Sequence, residues 1–186
     1  MVSNDVNKAI SYWTEWASKP DVQRYDIALF KIWIQFERFI GELFVTYATG
    51  NSSEKGYSPE LKIKFQDGEH FNALMRPKNG KYIDYLDMIE TLSKHIFKNN
   101  PFEVILGMET EKVAYNQMKL IRNYVAHESN DAKKKLINAC FGGREDKFVE
   151  PNDFLKSREK STKNTYYTYY IDIIKTILDL LIDPVY

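Results

Sequence analysis

Cysteine is nearly missing from this chain. The 186 residues include one, Cys140, so no internal disulfide can form and a disulfide-stapled secreted scaffold is ruled out. Charge of one sign is missing too. The 26 basic and 26 acidic side chains cancel, so no global field draws the chain onto nucleic acid, and any polyanion site has to be local. Histidine is scarce, with three in all. His70 and His95 have no second His, Cys or clustered acid at ligand spacing, so no metal site is expected. No stretch approaches ~20 apolar residues, which argues against a spanning helix and a membrane partner. The opening "MVSNDVNKAI" has no basic region followed by an apolar run, so no signal peptide is expected and the expected location is cytoplasmic. The paired glycines of "FGGRED", 141–146, lack the lysine and strand context of a phosphate-binding loop, and no cofactor is expected.

Aromatic residues are abundant by contrast, at 15% with thirteen tyrosines. The length fits one domain, residues 1–186, able to bury a core without staples. Apolar positions recur at helical spacing through most of it. Ile10, Trp13 and Ala17 mark a helix over 4–18, capped by Asn4 or Asp5. After the break at "KPD", Asp21 is expected to cap a long helix over 22–48, with Leu29, Trp33, Phe36, Ile40, Leu43 and Phe44 in its stripe. "LKIKFQDGEHFNALMR", 61–76, alternates apolar and polar residues on both sides of Asp67-Gly68, which predicts a small β-hairpin insertion. Further helices are expected over 81–99, 102–126 with a break near Gly107, 131–140 and 161–182. On the 102–126 helix, Val113 or Ala114, Met118, Ile121 and Val125 are expected to face inward. The expected fold class is all-α: a bundle of about five helices with a small β-hairpin insertion. Bundles build their sites from side chains on facing helices.

The third histidine keeps notable company, in "KLIRNYVAHES", 119–129. Arg122 and His127 are five positions apart, so on a straight helix they are offset by ~140° and rise ~7.5 Å. Asn123 and His127, at i and i+4, share a face. Asn130 and Asp131 suggest a cap for the next element, which places a helix end near Ala126 or His127. Guanidinium, amide and imidazole can converge there. A histidine gives or takes a proton near neutral pH. An arginine stays charged and presents a planar fork suited to phosphate. An asparagine can orient the imidazole or a substrate hydroxyl. The set fits cleavage of RNA by its own 2′-hydroxyl, with His127 handling a proton and Arg122 stabilising charge at phosphorus.

The stretch Arg122, Asn123, His127 in "RNYVAH", late in a helix of an all-α chain, resembles the HEPN superfamily. The nuclease members of that family carry Arg-x4–6-His with a polar residue after the arginine. A long aromatic helix early, the motif helix in the second half and a closing amphipathic helix extend the resemblance to the architecture. What it implies is a metal-independent endoribonuclease, often a toxin or antiphage effector, acting as a homodimer whose motifs face one cleft. An inhibitory antitoxin or defence-system partner would go with that role. Some relatives carry a tyrosine two positions after the histidine and are silenced by a nucleotidyltransferase. Ser129 stands at that position here, so that mode is not expected. The hairpin expected at 61–76 has no place in the common family core.

If the motif is a site, Lys119, Lys133 and Lys134 are natural RNA phosphate contacts beside it; otherwise "DAKKKL" is a solvated helix face. "KSREKSTKN", 156–164, has four basic residues and one acidic, either a polar loop or a local RNA-steering patch. Glu37 is either a wet-face residue paired with Arg38 or Lys31, or a partner of His127 or Arg122. Cys140 is expected to be a buried small residue, and "YYTYY", 166–170, to supply helix core and interface. The rival reading is a non-catalytic helical dimer that binds RNA, a nucleotide or a protein partner.

Overall fold

The computed structural model describes residues 3–75, 85–107, 109–160 and 162–184. Among these the regular elements are all helical. There are nine α-helices: α1 Ser3–Ser18, α2 Tyr25–Ala48, α3 Gly68–Met75, α4 Tyr85–Ile96, α5 Glu103–Leu106, α6 Glu109–His127, α7 Asn130–Phe141, α8 Pro151–Lys156 and α9 Tyr166–Ile182. A 3-10 turn, Glu145–Lys147, precedes α8. The all-α class holds, with more helices than five. No described helix is long and apolar enough to cross a membrane.

The chain divides into two compact units. The motif unit comprises Asn4–Phe36 and Glu109–Thr176. The second unit comprises Met1–Ser3, Glu37–Met108 and Ile177–Tyr186. Helices α2 and α9 each contribute a stretch to both.

In the motif unit, Ala28, Leu29, Ile32, Trp33 and Phe36 of α2 are buried at helical spacing. Trp33 meets Tyr115 of α6 with ring centroids 5.0 Å apart, and Phe36 meets it at 6.3 Å. Helix α6 buries Ala114, Tyr115, Met118 and Ile121. Of Val113 and Ala114, Ala114 is the one that faces inward and Val113 is 51% exposed, because Val113 lies round the helix from the stripe of Ala114, Met118 and Ile121; Val125 is half-buried. Helix α2 begins at Tyr25, not 22. Gln23 has a left-handed φ of 45°, which breaks the helical path after Pro20. The amide of Tyr25 donates to Asn152 Oδ1 at 2.9 Å, so Asp21 is not the cap. Helix α9 begins at Tyr166 rather than 161. There the Thr165 hydroxyl accepts the amide of Thr168 at 3.2 Å, and Thr165 is bridged to Arg158. In "YYTYY", Tyr167 and Tyr170 are buried while Tyr166 and Tyr169 are half-buried.

The second unit is built on phenylalanine. Phe44 of α2 meets Phe71, Phe97 and Phe102 with centroids 5.6, 5.9 and 5.3 Å away. The Tyr47 hydroxyl donates to the Leu181 carbonyl at 2.7 Å, and the Ser53 hydroxyl to the Ile182 carbonyl at 2.6 Å, so the end of α9 is tied by its own carbonyls.

The expected hairpin is not there. Leu61 bridges Phe97 instead of the segment after Gly68, and Gly68–Met75 is helix α3; residue 76 lies outside the described residues. The reason is local. The Asp67 carboxylate accepts the amide of His70 at 2.7 Å, three residues on, as an N-capping aspartate does. Asp-Gly serves as cap and first helical residue, not as a turn. Phe71 then turns into the core against Phe65, 4.9 Å away. The expected break near Gly107 is present, between α5 and α6. In the helix expected over 81–99, residues 81–84 lie outside the described residues, and α4 ends at Ile96.

Candidate functional site

Arg122, Asn123 and His127 all lie on α6, with His127 its last residue. Arg122 is seven residues after Tyr115, two helical turns, and so sits at the edge of the buried stripe. Its Nε is out of solvent, while its Nη1 donates to Asn123 Oδ1 at 2.8 Å. Asn123 is ~100° round the helix from Arg122 and ~40° from His127. It therefore spans the angular gap between them, holding the guanidinium through Oδ1 and sharing a face with the imidazole. Its amide NH2 has no acceptor among the described residues and is open to a substrate oxygen. His127 is exposed, and its ring makes no hydrogen bond or ion pair among the described residues. The structure joins Arg122 directly to Asn123 and leaves His127 one turn along, facing solvent.

The helix ends there for a backbone reason. Glu128 has a left-handed φ of 47°, and its amide closes on the Tyr124 carbonyl at 2.8 Å. Ser129 is the N-cap of α7, its hydroxyl accepting the amide of Ala132 at 3.2 Å. The cap is Ser129 rather than Asn130 or Asp131, because those two are already the first helical residues. Two residues thus separate α6 from α7, and the lysines of α7 follow the motif at once.

The three candidate lysines differ. Lys133 is half-buried, with Nζ 4.4 Å from the centroid of Phe148, a cation–π contact. Lys134 is exposed and unpaired among the described residues, and Lys119 is half-buried and likewise without an ion pair there. Lys135, next along, is taken by Asp131 at 2.7 Å. Two aromatic residues, Tyr124 and Phe148, complete the surroundings of these lysines. Tyr124 packs edge-on to Phe148 at 6.0 Å and donates to Glu150 Oε1 at 3.4 Å. Burial, with Glu150 next to it, raises its hydroxyl above the usual range. Tyr124 was in plain view inside "RNYVAH", but Phe148 is a loop residue whose place no spacing predicts.

Glu37 belongs to the second unit and the motif to the other. Cys140 is half-buried rather than fully buried as expected, and burial pushes its thiol up to about 12, so the thiolate is scarce at neutral pH. Among the described residues no group of three His, Cys, Asp or Glu side chains is placed to hold a metal ion. No family model, curated protein or solved structure matches the chain.

Proposed function

We propose that this chain is a metal-independent endoribonuclease whose site is Arg122, Asn123 and His127. The observation that supports it is the 2.8 Å bond from Arg122 to Asn123 at a helix end where His127 is open to solvent. In the reaction the substrate's 2′-hydroxyl attacks phosphorus and the bond to the 5′-oxygen breaks. One imidazole takes the 2′ proton, and a second protonates the departing 5′-oxygen. Arg122 stabilises the charge that gathers on the phosphoryl oxygens. Asn123 fixes the guanidinium and offers its NH2 to the substrate. Lys119, Lys133 and Lys134 draw RNA phosphates towards the helix end.

One chain offers one imidazole, so the reading includes a homodimer with a shared cleft, in which the second His127 comes from the other copy. On the family resemblance, the setting is a toxin or antiphage effector held in check by an antitoxin or defence-system partner. The test is incubation of the purified chain with tRNA and mRNA, with and without EDTA. Cleavage that survives EDTA is expected; loss in EDTA that magnesium restores would contradict it. Mixed dimers carrying one His127→Ala chain test the shared cleft. A shared site loses far more than half the activity per dimer, whereas independent sites keep about half. RNA binding without cleavage would leave the non-catalytic dimer as the reading.

A further inference from the structure

The motif unit contains a cavity of about 720 Å³ walled by α1 and α9, within the range of small-ligand sites. It is not part of the cleavage motif. Its apolar lining includes Ile10, Leu155 and Ile171. Tyr25 and Tyr167 meet edge-on at 4.9 Å, and the Tyr167 and Thr14 hydroxyls share a hydrogen bond at 2.8 Å. That pair has two protons and one bond between them, so one proton remains for a guest. Two acids, Glu15 and Asp172, also line the cavity. Neither is engaged in an ion pair among the described residues. Two lysines, Lys156 and Lys175, line the cavity as well, so its wall carries no net charge, and the carboxylates are there to accept hydrogen bonds from a neutral guest.

One wall of this cavity runs into a strongly basic loop. Lys156 and Thr165 line the cavity, and between them lie Arg158, Lys160 and Lys163, all exposed. The described residues of the loop are tied by backbone contacts. Arg158 bridges Thr165, the amide of Glu159 donates to the Asn164 carbonyl at 2.8 Å, and the amide of Lys163 donates to the Glu159 carbonyl at 3.1 Å. The loop's one acid adds to these ties, since the Glu159 carboxylate accepts the amide and hydroxyl of Thr162 at 2.8 and 3.1 Å. Arg158, Lys160 and Lys163 have no ion-pair partner among the described residues and are left for a partner.

A row of cations beside a cavity of balanced charge that offers carboxylate acceptors fits a polyanion carrying planar donor groups. We propose that this face is a single-stranded RNA exosite. Phosphates lie along Lys156, Arg158, Lys160 and Lys163, and one unstacked base enters the cavity against Tyr25 and Ile171. Glu15 and Asp172 accept from an exocyclic amine, so adenine and cytosine are preferred to uracil. The exosite rests on the ribonuclease reading for its purpose, which is choosing where the chain cuts, but its binding is measurable without cleavage.

The test uses the full chain carrying His127→Ala, titrated with fluorescein-labelled homopolymers of A, C and U over a range of salt. Poly(A) and poly(C) should bind at least ~10-fold more tightly than poly(U). Lys160→Glu with Lys163→Glu should weaken all three ~10-fold and lower the slope of log affinity against log salt by about 1.4, two phosphates at ~0.7 each. Thr168→Phe, at an exposed position lining the cavity, should remove the preference and keep the slope. Asp172→Asn, also exposed, should do the same without adding bulk. Affinity and slope unchanged by the lysine substitutions, or equal binding of the three homopolymers, would overturn the exosite. The ribonuclease reading is judged separately, by cleavage with His127 intact. Cleavage with loop-independent binding sinks the exosite alone; loop-dependent binding without cleavage sinks the ribonuclease alone.

Discussion

The motif unit carries 17 basic and 14 acidic side chains, and the second unit 9 and 12. A chain that is neutral as a whole is therefore a unit of +3 and a unit of −3. The two also spend their aromatic residues differently. The second unit gathers phenylalanines into a buried cluster around Phe44 and points the Tyr47 and Ser53 hydroxyls at backbone carbonyls. The motif unit uses tyrosines whose hydroxyls meet side chains: Tyr167 with Thr14, Tyr170 with Gln117 and Tyr124 with Glu150. The contrast separates a unit that holds its shape by exclusion of water from one that keeps polar groups and cations at its surface. Neutrality summed over the chain hides this, because charge acts locally within a Debye length of about 8–10 Å.

If the division is right, the largest effects on activity arise in the motif unit without loss of fold. His127→Ala should lower cleavage by ~10²–10⁴-fold, the usual contribution of a proton-transfer group, while the circular dichroism spectrum and melting temperature stay close to wild type. Arg122→Lys should fail comparably, since a point charge does not replace the bidentate fork. Melting of either variant with loss of activity would mean a structural role and would break the comparison.

The largest effect on stability should arise in the other unit. Phe44→Ala removes a side chain with three ring partners at a fully buried position and should cost ~3–5 kcal/mol in urea unfolding. A loss below ~1 kcal/mol would show the cluster to be loosely packed.

Alkaline pH sharpens the contrast at an intermediate scale. Burial pushes both the Cys140 thiol and the Tyr167 hydroxyl up to about 12, from 9.0 and 10.0. A raised acid favours the folded state while it stays neutral. The contribution is complete below pH 9 and is lost as pH rises from there towards 12. Stability of the motif unit should fall across that window, and Cys140→Ala should flatten the early part of the fall. Thiol labelling of the native chain at pH 8 should be slow, with about one thiol in ten thousand ionised. Fast labelling would show Cys140 open to solvent.

Two small effects complete the series. Tyr47→Phe deletes a buried hydroxyl bond and should cost about 1 kcal/mol. Ser129→Ala removes the cap of α7 and should cost a similar ~1 kcal/mol, read as faster amide exchange at the first turn of that helix.

The helical stripes were legible in the sequence wherever burial follows one period, as from Leu29 to Phe44, and so was the break at Gly107. The starts of helices were less so. Asp21, Asp67 and Asn130 each look like caps or turns, yet only Asp67 acts as a cap, and it caps a helix where a hairpin was expected. An Asp-Gly pair satisfies either geometry, and the choice was made at a distance, by Phe71 finding Phe44 and Phe65. The motif was legible because its three side chains share one helix. The ring of Phe148 under Lys133 was not, because a loop brings it back across α7.

The central claim is that the helix end bearing His127 cleaves RNA by transesterification. The most direct test is analysis of product 3′ ends after incubation of the purified chain with RNA in EDTA, beside the His127→Ala protein. Fragments ending in a 2′,3′-cyclic phosphate from the wild type, and none from the variant, are the predicted result. Fragments ending in a free 3′-hydroxyl, or equal cleavage by the His127→Ala protein, would contradict it.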